Sequence, residues 1–277
     1  MALLPFFDDI AVHSLIIEPR DLEAMLGDER LLLIDLCREE TWSQAHLPGA
    51  IHVTPAELIA GTKPAVGKLP PPERLEALFS RLGYDRDQYI VAYDDEGGGW
   101  AGRFLWTLDV IGHQDMSLLN GGIVAWAAEN RALSNETVTP QPTRVDLSID
   151  RQYIATQAEV LANIEDPQTV VWDARSAAEY DGTRVVSARG GHIPGAINLD
   201  WLDVMDRDNY LRIRSDIAEV LKNRGITAEK NIITHCQTHH RSGLTYIVGK
   251  SLGYRVRAYD GSWSEWGNDP STPVETQ

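Results

Sequence analysis

Cysteine, basic residues and long apolar runs are all scarce in this chain. Only two cysteines, Cys37 and Cys236, occur in 277 residues. Two cannot build a disulfide framework, and a chain of this size does not need one. Lys and Arg number 25 against 41 Asp and Glu, a formal net charge of −16. That excess repels phosphate backbones and anionic bilayers, which excludes nucleic acid and membrane surfaces as partners. No apolar run approaches the length of a membrane span. Met1–Asp9 begins apolar but carries no basic residue and is broken by Asp8 and Asp9, so it reads as no signal peptide. These absences together predict a soluble protein of a reducing compartment, the cytoplasm.

What is present begins with an apolar fraction of 43%, ample for a core. The charge is uneven. Between Arg224 and Arg257 lie six basic residues and one acid, Glu229, a local charge of +5 in an acidic chain. Three of the eight histidines, His235, His239 and His240, fall in the same stretch. A positive island of this kind points to an anionic substrate.

The chain also repeats itself. His46–Ile51 reads HLPGAI and His192–Ile197 reads HIPGAI. Each is preceded by a short apolar run ending in an acid, Asp35 or Asp173, with an aromatic seven residues later, Trp42 or Tyr180. Downstream, Tyr89–Asp94 parallels Asn231–Cys236, and each half closes on Gly and Trp, in Asn120–Trp126 and Asp260–Trp266. Matches in one order at similar spacing identify a duplication, with a domain in each copy. The polar stretch Ser134–Thr143, with its two prolines, reads as a connection. The expected organisation is a first domain over 1–133, a linker over 134–148 and a second domain over 149–277.

Strand and helix signals alternate within each copy. Thr156 and Glu159 form a capping box opening a helix through Asn163, and Pro72–Phe79 has amphipathic spacing with proline near its start. Tyr89–Ala92 and Ile232–Thr234 read as buried parallel strands. The expected fold is α/β, two tandem domains that are each a parallel sheet flanked by helices on both faces. Ligands in such sheets sit at the carboxyl ends of strands.

Cys236 stands at such an end. The loop from Cys236 through Gln237, Thr238, His239, His240, Arg241 and Ser242 leads into a segment, Leu244–Lys250, that can be helical. A tight strand-to-helix loop aims successive N–H groups inward, the helix N-terminus adds partial positive charge, and Arg241 adds a full one. All three favour thiolate over thiol, so a lowered pKa and a nucleophile beside an anion site are expected. Cys37, with no companion histidine or glycine loop, reads as structural. The first copy has Asp94 where the second has Cys236, followed by Asp95 and Glu96, with Arg103 nine positions on. Such a loop is expected to repel an anion.

The acid, the H-[IL]-P-G-A-I motif, the cysteine loop and the Gly–Trp closure together resemble tandem-domain rhodaneses, thiosulfate:cyanide sulfurtransferases. The likeness covers nearly the whole chain, and the loop CQTHHRS is similar to that of a bacterial group of the family. Four residues separate Cys236 from Arg241; cysteine-dependent phosphatases have five, a wider cradle. The resemblance implies an inactive first domain and a double displacement in which Cys236 takes a sulfur from thiosulfate and passes it to cyanide or a thiol, with no metal or organic cofactor. It implies that Arg241 binds the donor's sulfonate and that Gln237, Thr238, His239, His240 and Ser242 line the site. Arg175, in an Asp-x-Arg segment with a structural Asp173, is implied to orient the loop or touch substrate. Trp201 would wall the pocket.

The loop departs from both animal types. Vertebrate thiosulfate enzymes carry Arg and Lys where Gln237 and Thr238 stand, and mercaptopyruvate enzymes have small uncharged residues there. Competing readings are a mercaptopyruvate sulfurtransferase, a persulfide donor to a protein partner, a phosphatase, and a zinc module built on His235, Cys236, His239 and His240.

Overall fold

The computed structural model describes residues 13–276; the Met1–Asp9 segment lies outside them. The first copy runs β1 (Ile16–Ile17), α1 (Pro19–Glu23), β2 (Leu31–Asp35), α2 (Glu39–Gln44), β3 (Ile51–His52), α3 (Pro72–Arg81), β4 (Tyr89–Tyr93), α4 (Gly99–Val110), β5 (Met116–Leu119) and α5 (Gly122–Ala128). The second runs α6 (Gln157–Ala162), β6 (Thr169–Asp173), α7 (Ala177–Tyr180), β7 (Ile197–Asn198), the hairpin β8 (Met205–Asp206) and β9 (Arg212–Ile213), α8 (Ile217–Asn223), β10 (Asn231–His235), α9 (Arg241–Ser251), β11 (Arg255–Ala258) and α10 (Ser262–Trp266). The α6 capping box forms as the sequence requires, and α3 extends the amphipathic reading by two residues.

Each copy is a parallel sheet. Strand order is β1-β5-β4-β2-β3 in the first and β11-β10-β6-β7 in the second. The registers coincide. Asp35 pairs with Tyr93 on the neighbouring strand, and Asp173 pairs with His235. The next residues are Asp94 and Cys236, so both copies place an acid-bearing strand end beside the loop of a central strand. The repeated histidines belong to this framework. His46 stacks on Trp42 at 3.5 Å between ring centroids, and His192 on Tyr180 at 3.6 Å. The HxPGA histidine and the aromatic seven residues past the acid are thus one packing unit.

The helices that follow the two loops, α4 and α9, pack directly against each other across the copies. Contact is close because Gly102 and Gly243 meet there: a Cβ on either would run into the backbone of the other helix. Buried Asp109 of α4 accepts from Tyr246 Oη at 2.8 Å and pairs with Lys250, both on α9. The connection is less loose than its polar start implies. Val145, Leu147 and Ile149 alternate onto the shared core. Among the described residues no helix is long and apolar enough to cross a membrane.

Candidate active site

Cys236 opens the loop between β10 and α9 and is 1% exposed. Burial is the strongest influence on its thiol and pushes it up. Arg241, the side chain and backbone N–H of Ser242, and His240 together outweigh burial, so the thiol lies below its ordinary value. The loop turns at His239, which adopts a left-handed backbone, φ 56°, and brings the Ser242 N–H to the sulfur. The N-terminus of the eleven-residue α9 faces the same point.

Several expected residues take unexpected places. Arg241 is held by a residue that sequence reasoning missed. Its Nη1 and Nη2 donate to the two oxygens of Glu179 at 2.7 and 2.8 Å. Glu179 is 3% exposed and its carboxyl is held down to about 2: burial pushes up, but the Arg241 hydrogen bonds and charge and the Ser176 cap pull further down. The capping pattern Ser176-x-x-Glu179 was the available signal. Arg241 keeps three N–H groups beyond this pair, and its side chain is 18% exposed.

Arg175 is fully buried. It donates to both oxygens of Asp173 and, through Nη2 at 2.8 Å, to the Gly191 carbonyl, and lies 4.3 Å over the Trp263 ring. It stands behind the loop, spent on these partners. His239 also turns away from the loop's outer face. It is buried, its Nδ1 lies 2.7 Å from Ser242 Oγ, and its ring meets Trp106 of the first copy edge-on at 4.6 Å.

His240 does face the mouth. Its ring stacks on Trp100 at 4.4 Å, lies 5.5 Å from Trp201, and its Nε2 contacts Glu96. Gln237 donates to Ser187 Oγ at 3.1 Å. The Thr238 carbonyl abuts Gly67 of the first copy so closely that a Cβ there would overlap it. The three histidines read as zinc ligands point apart: His235 Nδ1 lies 3.1 Å from its neighbour's carbonyl, while His239 and His240 face different first-copy groups. Among the described residues no group of three His, Cys, Asp or Glu side chains is placed to hold a metal.

The +5 stretch does not converge on the site. Arg224, Lys230 and Arg255 donate to the carbonyls of Asn198, Pro167 and Glu229. Lys250 pairs with Asp109 and Arg257 with Glu159. Only Arg241 reaches the loop. The site's attraction for anions is therefore made from backbone amides, the start of α9 and one half-engaged arginine.

The first-copy loop also differs from expectation. Asp94 does not repel an anion from its nest; it fills the nest. Oδ1 accepts the N–H groups of Glu96, Gly97 and Gly98 at 3.1, 3.0 and 2.8 Å, and Oδ2 accepts that of Ala101 at 3.0 Å. Two residues past Asp35, where the second copy has Arg175, stands Cys37. Burial, then the charges of Asp35, Asp94 and Asp95, push its thiol far up, which disfavours the thiolate.

Two parallel-sheet copies, one with a buried cysteine opening the loop that leads into a helix, define an α/β tandem. A model of the rhodanese-like domain matches residues 18–129 and again 156–269. The chain belongs to that family, with two such domains. It is 51% identical to a thiosulfate sulfurtransferase of Azotobacter vinelandii, the match covering 97% of this chain and 99% of that protein. It is also 51% identical to one of Pseudomonas aeruginosa, covering 94% and 97%. A sulfur carrier protein of Thermus thermophilus is 31% identical over 89% of this chain and 88% of its own length. The fold also matches a solved anaerobic ergothioneine biosynthesis enzyme of Chlorobium limicola, with a TM-score of 0.83 and 20% identity. That match covers 97% of this chain and 72% of the other.

Proposed function

We propose that this chain is a thiosulfate sulfurtransferase whose Cys236 carries the sulfur in transit. The observation that carries the reading is the place of Cys236, directly after central strand β10 and beside Arg241 and Ser242 at the start of α9. Half-identical relatives aligned end to end and bearing that activity's name support thiosulfate as donor.

In the first displacement the Cys236 thiolate attacks the outer sulfur of thiosulfate. The bond between the donor's two sulfurs breaks, its electron pair leaves on sulfite, and Cys236 becomes a persulfide. In the second, cyanide attacks the outer persulfide sulfur and departs as thiocyanate, returning the thiolate. With cyanide anion no proton changes hands and no net oxidation occurs. The anionic persulfide is stabilised by the same amides that lower the thiol's pKa. Arg241 takes the sulfonate end on its free N–H groups while Glu179 fixes the plane of the guanidinium. Gln237, Thr238 and His240 line the approach, Ser242 holds the sulfur, and Arg175 and His239 support the loop from behind. A thiol or a protein acceptor enters the second displacement in cyanide's place; the likeness to a sulfur carrier protein favours the protein case as a second outlet.

The test is steady-state turnover with cyanide, comparing thiosulfate, 3-mercaptopyruvate and an aryl phosphate. Thiosulfate is expected to give the highest kcat/KM and the phosphate no turnover. Preference for mercaptopyruvate, or phosphate hydrolysis, overturns the reading.

A further inference from the structure

Arg103 is a buried charge that makes no ion pair among the described residues. It sits on α4 of the non-catalytic copy and is 0% exposed. Its one hydrogen bond is from Nη2 to the Leu58 carbonyl at 2.8 Å; Nε and Nη1 have no partner. Among the described residues it makes no ion pair with a carboxylate, unlike buried Arg175. Burial lowers its pKa to about 10, so it is still a cation at neutral pH. A buried cation persists only where a negative charge balances it. The two anionic groups that act on it are Asp260 and the Cys236 sulfur.

The geometry around Trp106 indicates how the charge is transmitted. The Arg103 guanidinium carbon lies 4.6 Å from the Trp106 ring centroid, and the His239 ring lies 4.6 Å from the same indole. His239 Nε2 is buried and, like Arg103 Nε and Nη1, unpartnered. The orphans are complementary: Arg103 has only donors, and a neutral imidazole has one acceptor nitrogen. Burial, then the charge of Arg103, drives the His239 pKa well below its usual value, so the ring is neutral. With Nε2 as the acceptor, the proton is on Nδ1, which lies 2.7 Å from Ser242 Oγ. The Ser242 hydroxyl is then free to donate to the sulfur it faces.

We propose that Arg103, on the non-catalytic copy, is a positioning residue at the far end of a chain of donors that holds negative charge on the Cys236 sulfur. The charge of Arg103 acts on the neutral His239 ring beside the same indole, His239 Nδ1–H donates to Ser242 Oγ, and the Ser242 hydroxyl donates to Cys236. Every donor in the chain points the same way, and the polarisation is cooperative. The inactive half thus contributes to the reactivity of the active cysteine. The inference rests on Cys236 as the sulfur carrier, but its test reads the thiol and not sulfur transfer.

The probe is iodoacetamide, with alkylation followed by intact mass between pH 4 and 10. A Cys37→Ala background leaves Cys236 as the sole reporter. Other charges face the sulfur and its loop: Arg241 and His240 on the loop with Glu96 opposite, His235 beside it, Asp173 and Arg175 on the β6 side, and Asp260 after β11. All are kept, so a displacement of the profile reads Arg103 alone.

Arg103→Met is expected to move the midpoint up by about one pH unit, slowing alkylation about tenfold on the acid limb. Arg103→Lys is expected to restore most of it. His239→Phe is expected to move it likewise, with Arg103→Met then adding nothing further. Superposition of the Arg103→Met and parent profiles overturns the proposal, because Arg103 would then only balance Asp260. An undiminished Arg103→Met effect in the His239→Phe background overturns the chain. Circular dichroism confirms that each variant is folded. Failure of the parent to load sulfur from thiosulfate would sink the sulfurtransferase reading and leave these profiles interpretable.

Discussion

The two copies build the same anion nest and put different anions in it. In the second, acid Asp173 is neutralised from behind by Arg175, and the nest is occupied by the Cys236 sulfur. In the first, Asp35 has Cys37 where an arginine would stand, and the nest is occupied by the carboxylate of Asp94. One acid-bearing strand end, one loop and one helix start therefore serve opposite ends. On the proposed reading, a thiolate there is a nucleophile. A carboxylate with four backbone donors is a plug. The first-copy loop is satisfied by its own carboxylate, and its helix α4 packs against α9 of the second copy.

The largest break in this comparison comes from making the second copy resemble the first at Arg175. Arg175→Leu leaves Asp173 buried without its guanidinium partner, with only the backbone N–H of residue 175 at 3.0 Å and His235 Nε2 at 3.6 Å beside it. Chemical denaturation is expected to show a loss of about 3–5 kcal/mol. Cys37→Ala, the change at the matching place, is expected to cost about 1–2 kcal/mol through lost packing and to leave sulfur transfer near the parent rate. Equal costs at the two positions would show that Arg175 is mere filling.

A smaller effect is expected at Glu179, which has no counterpart role in the first copy. Its folded pKa, about 2, lies below the unfolded value. Its stabilisation is therefore fully present above about pH 4.5 and is lost as pH falls towards 2. Glu179→Gln is expected to lower stability by about 1–2 kcal/mol at pH 7 and to raise the KM for thiosulfate more than it lowers kcat. The gap between the two proteins should narrow as pH falls from about 4.5 to 3 and close only near pH 2 and below. A gap as wide at pH 3 as at pH 7 would contradict the ion pair as its source.

The smallest concerns Asp94. Burial and the neighbouring Glu96 push its carboxyl up to about 6, against the pull of its amide donors. The folded state then holds this proton where the unfolded state has released it. Stability is expected to fall as pH rises from about 4 to 6. Asp94→Asn removes that slope while leaving stability at pH 7 within about 1 kcal/mol. An unchanged slope would show that Asp94 is not the group responsible.

Much of this was legible in the chain. The duplication, the parallel sheets and Cys236 at a strand end follow from motifs and local patterns. The disfavoured thiolate of Cys37 fits its lack of companions. What was hidden is tertiary. Nothing local says that the Arg241 fork is taken by Glu179, 62 residues away. Charge counted along the chain made an island of Arg224–Arg257, but a β-strand carries its two ends about 16 Å apart. Lys230 and Arg255 therefore serve the far end of the sheet, while Arg224 is spent on the carbonyl of Asn198 in the outer strand β7. His239 looked like a mouth residue because it neighbours the cysteine; its left-handed backbone and the Trp106 wall turn it inward. The Asp94 loop looked repulsive because its acids were summed, whereas the fold feeds one of them to four amides.

The most direct test of the difference between the nests is intact mass after brief treatment with thiosulfate. The parent protein is expected to gain the mass of one sulfur atom, and cyanide is expected to remove it. Cys37→Ala should behave as the parent, and Cys236→Ala should gain nothing. A parent that turns over thiosulfate without any mass gain, or a Cys236→Ala variant that still gains sulfur, would contradict the account.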